Sequence, residues 1–313
     1  MSRFWLKIIA AAAVAAFFIA VPLLFTGFSK KSVHKRIAVN DTGEFAVTDS
    51  GRIHYEFSGD PEGRIVLLIH GFAIPMFVWD KNADALIKSG YRVLRFDLYG
   101  RGFSDRPRRK YSPEMFERQI LDLVSAAGVG ASFHIAGISL GGAIAAHFSV
   151  KHPDMVDKIA LIAPAGFPSG ESAVSGFIRT PVLGDYFFTV AGDRGLIYRN
   201  KSNFLRPDAF PEFNKRFEEE LDYLGYKRAL LSTLRHFPMQ NMEQAFLDLG
   251  RSGKDVLLLW GEYDYVIPPS TAEMVRKAVP QAEYFPIPDA GHISVYENPE
   301  AVNKYLIDFF QDN

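Results

Sequence analysis

Short strand-like stretches, of which 64–70 is a continuous apolar run rich in branched residues, alternate with helical stretches along most of the chain. This alternation restricts the possible folds more than any other feature. The strand-like stretches lie at 64–70, 91–97, 132–136, 156–163, 255–260 and 282–287, with helical patterns at 78–89, 112–127, 139–152, 271–279 and 299–310 between and after them. A strand that is apolar at every position, rather than at alternate ones, is buried on both faces, as in a parallel sheet. Strand and helix in strict alternation predict an α/β fold whose mostly parallel sheet is covered by helices. The stretch 51–57 alternates and reads as an edge strand. From 166 to 253 the alternation breaks, and no clean buried strand interrupts a largely helical pattern. That block is expected to be a helical cap inserted at the carboxyl edge of the sheet. The predicted division is 1–36 N-terminal anchor and basic flank, 37–165 first part of the core, 166–253 cap, and 254–313 second part of the core.

Gly137-Ile138-Ser139-Leu140-Gly141-Gly142 joins one of these strands to a helix. A serine at the centre of Gly-x-Ser-x-Gly sits on a sharp, strained turn that only small neighbours permit. The helix that follows aims its N-terminal N–H groups at the same spot. Ser139 is therefore the expected nucleophile. A serine hydroxyl needs a general base and an acid that orients the base, and both are expected after it in the chain. Gly261-Glu262-Tyr263-Asp264 and Asp289-Ala290-Gly291-His292 each lie just beyond a buried strand, where open α/β sheets place their sites. His292 is the expected base and Asp264 the expected acid, with Glu262 and Asp289 as rivals. The oxyanion of a tetrahedral intermediate is expected to bind the backbone N–H groups of Phe72 and Leu140. His70 is expected to order its own loop by hydrogen bonding. His34, His54, His134 and His236 have no nameable acid/base partner, while His147 and His152 read as packed or helix-end residues.

Composition removes other classes. A net charge of −1 supplies no basic field for nucleic acid. The absence of cysteine excludes disulfides, thiolate metal sites and a cysteine nucleophile. No cofactor and no metal is implied. From 8 to 29 no residue is charged, and Arg3, Lys7, Lys30, Lys31, Lys35 and Arg36 flank the run. At ~1.5 Å per residue such a helix spans roughly 30 Å, the thickness of a bilayer core. Phe25-Thr26-Gly27-Phe28-Ser29 is a poor cleavage site, so a single-pass membrane anchor is preferred over a cleaved signal peptide.

His70-Gly71-Phe72, the loop 97–105 (Asp97-Leu98-Tyr99-Gly100-Arg101-Gly102-Phe103-Ser104-Asp105), Gly137-Ile138-Ser139-Leu140-Gly141-Gly142, Gly261-Glu262-Tyr263-Asp264 and Gly291-His292 together resemble the α/β-hydrolase superfamily, in order and at its usual spacing, from about residue 52 onward. The resemblance implies a serine hydrolase fold and triad. Within it, Ser139 departs from the members with an aspartate nucleophile. Ile293 departs from the carbon–carbon bond hydrolases, which usually carry Trp after the base. Leu140 departs from the prolyl iminopeptidases, which usually carry Trp after the nucleophile. What remains is similar to lidded esterases and monoacylglycerol-lipase-like enzymes. The expected activity is hydrolysis of a small hydrophobic, lipid-derived ester. Carbon–carbon or amide hydrolysis, or an inactive binding module, are the alternatives. Phe177, Phe187, Phe188 and Phe204 are candidates either for an acyl pocket or for the cap's own core.

Overall fold

The computed structural model describes residues 30–32, 43–130, 132–169 and 173–311, with isolated positions Trp5, Ile8, Ile9 and Phe17. The strand-like stretches form strands β3 (Ile65–Ile69), β4 (Arg92–Phe96), β5 (Phe133–Ile138), β6 (Val156–Ile162), β7 (Val256–Gly261) and β8 (Glu283–Ile287). They join β1 (Glu44–Thr48) and β2 (Gly51–Gly59) in an eight-stranded sheet of order β1-β2-β4-β3-β5-β6-β7-β8. Every pairing from β4 to β8 is parallel, and β1 and β2 pair antiparallel. The edge strand is β1, and β2 lies one place inside it. The stretch 44–48 is short and flanked by polar residues, so its pattern is weak, and its pairing with β2 across a tight turn decides it.

The two faces of the sheet bury separate cores. Leu67, Ile69, Ile135, Ile159, Leu161 and Leu258 point into one. Val66, Leu68, Ala136, Ala160, Ile162 and Leu257 point into the other. This period-two split of continuous apolar runs is what burial on both faces requires. Helices α1 (Asp80–Lys88), α2 (Pro113–Ala126), α3 (Leu140–Lys151), α9 (Thr271–Ala278) and, after the one-turn α10 (Ser294–Glu297), α11 (Pro299–Gln311) cover the faces. Ser112 and Pro113 open α2, but the Ser112 hydroxyl makes no backbone cap and donates to the Glu114 carboxylate at 2.5 Å.

Between β6 and β7 lie α4 (Ala173–Ile178), α5 (Leu183–Lys201), α6 (Pro211–Glu220), α7 (Tyr226–His236) and α8 (Glu243–Arg251). Helix α8 packs on α3 and α9, and α5 packs on α6 and α7. Lys31 lies along the α6–α7 connection. Its N–H donates to the Asp222 carbonyl at 2.7 Å, and its carbonyl accepts from Leu224 N–H at 2.9 Å. The expected span at 8–29 lies outside the described residues except at Ile8, Ile9 and Phe17. Among the described residues no helix is long and apolar enough to cross a membrane.

Candidate active site

Parallel strands bring their carboxyl ends to one edge, and the sequence-predicted residues gather there. Ser139 lies between β5 and α3 with φ 55° and ψ −118°. A non-glycine residue held there stores about 1–3 kcal/mol of backbone strain. The turn is held from both sides. Ser139 N–H donates to the Ile162 carbonyl, and its own carbonyl accepts from Gly142, Ala143 and Ala165 N–H groups. The glycines are required by close approach. A Cβ at Gly137 would lie 2.2 Å from the Gly141 carbonyl oxygen, and one at Gly141 would lie 2.3 Å from that of Ile69.

His292 follows β8, and Asp264 follows β7. Both are buried, and His292 Nδ1 lies 2.7 Å from Asp264 Oδ2. The other carboxylate oxygen accepts the Val266 and Ile267 N–H groups, each at 2.8 Å. Oδ1 is thus committed to the backbone and Oδ2 to the imidazole. Both His292 and Ser139 wall one open-mouthed cavity lined mostly by apolar side chains. The rival acids are not brought to His292: Glu262 is exposed, and Asp289 turns outward to Arg206 at 4.0 Å.

The loop after β3 lines the same cavity through Gly71, Phe72, Ala73 and Ile74. Its carbonyls are held by side chains in succession. His70 Nε2 accepts Leu98 N–H at 2.8 Å, which leaves the proton on Nδ1 to donate to the Gly71 carbonyl at 2.9 Å. That carbonyl shares a trans peptide plane with Phe72 N–H, so fixing one fixes the other. Burial lowers the His70 pKa to about 4, which keeps the ring neutral. Arg101 donates through Nε to the Phe72 carbonyl at 2.8 Å, and Tyr226 donates through its hydroxyl to the Ala73 carbonyl at 2.6 Å. Leu140 opens α3, where first-turn N–H groups lack intrahelical acceptors. Phe72, in the loop after β3, and Leu140, the first residue of α3, thus belong to two different elements beside Ser139.

The family model described as alpha/beta hydrolase fold matches residues 64–299. The chain belongs to the α/β-hydrolase family. Among curated relatives of this α/β hydrolase is Lipase 1 of Psychrobacter immobilis, 26% identical over 245 residues, covering 78% of this chain and 75% of the lipase. A bacterial membrane phospholipase A superposes with a TM-score of 0.69 at 25% identity, covering 99% of this chain and 98% of that one. The 2-hydroxy-6-oxo-6-phenylhexa-2,4-dienoate hydrolase of Rhodococcus sp. strain RHA1 superposes with a TM-score of 0.72 at 25% identity, covering 87% of this chain and 99% of that one.

Several supports of the site in this α/β hydrolase are invisible to sequence reading. His54 pairs through Nδ1 with Asp97 at 2.7 Å, both fully buried. Burial pushes the Asp97 carboxyl up, but the His54 bond and charge, with further donors, hold it down at about 2. Its other oxygen accepts Met76 N–H at 3.0 Å, tying the end of β4 to the loop that carries Phe72. The fully buried Arg101 also donates to Thr233 on α7 at 2.9 Å. Burial lowers its pKa only to about 10, so it stays charged. Glu297 accepts the N–H groups of Leu205, Arg206 and Gly291, joining the cap to the loop of His292. Asp97 and Gly102 stand out in the sequence, whereas Tyr226, Thr233 and Glu297 carry no motif. The aromatic expectation also changes. Phe188 and Phe204 are buried in the core, Phe177 and Phe187 are exposed and pack edge-to-face on each other, and Phe217 and Leu196 wall the cavity instead.

Proposed function

We propose that the chain is a serine esterase acting through an acyl-enzyme on a hydrophobic, lipid-derived ester such as a monoacylglycerol. The observation that supports it most is the shared cavity of Ser139 and His292, with His292 tied to a buried carboxylate that has no other side-chain partner among the described residues. The Ser139 hydroxyl attacks the ester carbonyl and gives its proton to His292 Nε2. Asp264 holds the Nδ1–H tautomer and stabilises the imidazolium. The N–H groups of Phe72 and Leu140 receive the oxyanion. His292 then protonates the departing alcohol, and water, deprotonated by His292, releases the acid and regenerates the serine.

The walls at Phe72, Ile74, Val78, Phe217 and Ile293 suit an acyl chain. The uncharged run at 8–29 suits a membrane tether beside a lipid pool, and the likeness to a membrane phospholipase A extends over 99% of the chain. A carbon–carbon bond hydrolase is the second reading, favoured by the superposition on the dienoate hydrolase. p-Nitrophenyl esters of increasing chain length and a vinylogous diketone distinguish them. Turnover of esters rising with chain length is expected. Turnover of the diketone alone would replace the ester reading.

A further inference from the structure

Helix α5 packs its inner side on α6 and α7, yet its outward side is largely apolar as well. Leu183, Phe187, Ala191, Arg194 and Tyr198 are all exposed and recur every three or four residues, so they form one stripe. At ~1.5 Å per residue the stripe runs for roughly 22 Å. Leu183 is 58% exposed, Phe187 48% and Tyr198 76%. The outward side of a surface helix is ordinarily polar, and contiguous exposed apolar patches mark interaction sites. Phe177 of α4, itself exposed, widens the patch by packing edge-to-face on Phe187. The two acidic residues of α5 turn to α7 instead: Asp185 pairs with Arg235 at 2.8 Å and Asp193 with Lys227 at 2.8 Å.

The tip of the patch is held firmly. Val182, exposed beside Leu183, has φ 65°, a strained conformation for a β-branched residue. Asp185 accepts its N–H at 2.9 Å, and Arg235 donates to the Arg179 and Thr180 carbonyls at 3.0 and 2.8 Å. The neighbours of α5 indicate a lipid surface. The uncharged run at 8–29 ends at Lys30, and Lys30 pairs with Asp193 of α5 at 3.4 Å. At its far end the stripe reaches Arg199, which is exposed and lines the cavity of Ser139. The helix thus joins the end of an apolar segment of bilayer length to the mouth of the cavity.

We propose that the outward face of α5, with Phe177, lies on the surface of a lipid bilayer, its apolar side chains among the acyl chains and Arg194 among the phosphates. An ester then passes from the bilayer into the cavity mouth without crossing water. The passage of an ester rests on the esterase reading, whereas the contact of α5 with lipid needs no catalysis.

The chain has no cysteine, so one introduced thiol places a label uniquely. The full chain carrying Phe187→Cys, or Val47→Cys at an exposed position of the edge strand β1, is labelled with an environment-sensitive fluorophore. Each is reconstituted into vesicles of phosphatidylcholine and phosphatidylglycerol whose acyl chains are brominated near the head group. The label at position 187 is expected to shift to the blue and to be quenched, and the label at position 47 to do neither. Quenching at neither position, or equal quenching at both, would overturn the proposal. So would a blue-shifted label at 187 that bromolipid leaves unquenched in a chain that sediments as a dimer, which would put a second copy on this face. Leu183→Ser combined with Phe187→Ser is expected to cut turnover of an ester embedded in vesicles about tenfold, the scale of one lost large apolar contact, with turnover of soluble p-nitrophenyl acetate unchanged. Equal loss on both esters, or loss on neither, would overturn the passage of substrate from this face. If the label at 187 is quenched but the chain turns over no ester, the esterase reading fails and the lipid face stands. If esters are turned over and the label is not quenched, the reverse holds.

Discussion

Replacing Asp264 by Asn tests the geometry of the base with little change in volume. Asp264 Oδ1 accepts two backbone N–H groups, each at 2.8 Å. In the variant only the amide oxygen can serve them, so the amide NH2 must face His292 Nδ1 at the position now occupied by Oδ2. Two donors cannot share that contact, so Nδ1 becomes the acceptor and the imidazole proton moves to Nε2. That nitrogen can then no longer take the proton of Ser139, and the negative charge that stabilises the imidazolium is gone as well. In a triad of this kind the same exchange lowers kcat by about 10⁴, or about 5 kcal/mol of barrier. The assay is kcat and KM on a p-nitrophenyl ester, beside a thermal melt. A kcat loss of about 10⁴ is expected with KM changed far less and the melting midpoint close to that of the unsubstituted chain. Activity within tenfold of the unsubstituted chain, with the fold intact, would refute the role given to Asp264.

Two further outcomes follow from the same structure. Tyr226→Phe removes the donor to the Ala73 carbonyl. A lost donor of this kind leaves a deficit of about 1–3 kcal/mol, and steady-state kinetics should show kcat falling roughly tenfold with little change in KM, because the displaced group is the loop that carries Phe72. An unchanged kcat would separate the cap from the oxyanion loop. His134 is buried, stacks on Phe310 at 4.8 Å, and neither ring nitrogen has a partner among the described residues. Burial lowers its pKa from 6.5 to about 4. The unfolded chain therefore takes up this proton first, so the stability tied to the neutral ring is complete above pH 6.5 and is lost as pH falls toward 4. The gap is worth up to about 3 kcal/mol. Urea melts of His134→Phe across this window should show a shallower decline than the unsubstituted chain, and identical slopes would exclude the effect.

The parallel core was legible because strands such as β3 and β7 are apolar at every position, a pattern that local sequence displays directly. The gathering of Ser139, Asp264 and His292 at one edge of the sheet was legible for a different reason: strained turns and strand-end loops require particular residues at particular places, as the close approaches at Gly137 and Gly141 show. The edge strand β1 was not legible, because pairing across a turn, rather than its own pattern, makes it a strand. Pairs such as His54 with Asp97, 43 positions apart, and Arg101 with Thr233, 132 apart, exist only once the sheet and cap have been assembled. The cap defeats periodicity for a further reason. Its aromatics divide among core, cavity wall and solvent, and the sequence around Phe187 and Phe188 does not distinguish an exposed ring from a buried one one position away.

In the proposed mechanism Ser139 carries the acyl group. Reaction of the full chain with a fluorophosphonate, followed by peptide mass spectrometry, tests it most directly. A single adduct on the peptide containing Ser139, abolished by Ser139→Ala and slowed by His292→Ala, is the expected result. No adduct on the unsubstituted chain, or equal labelling of the Ser139→Ala chain, would contradict the claim.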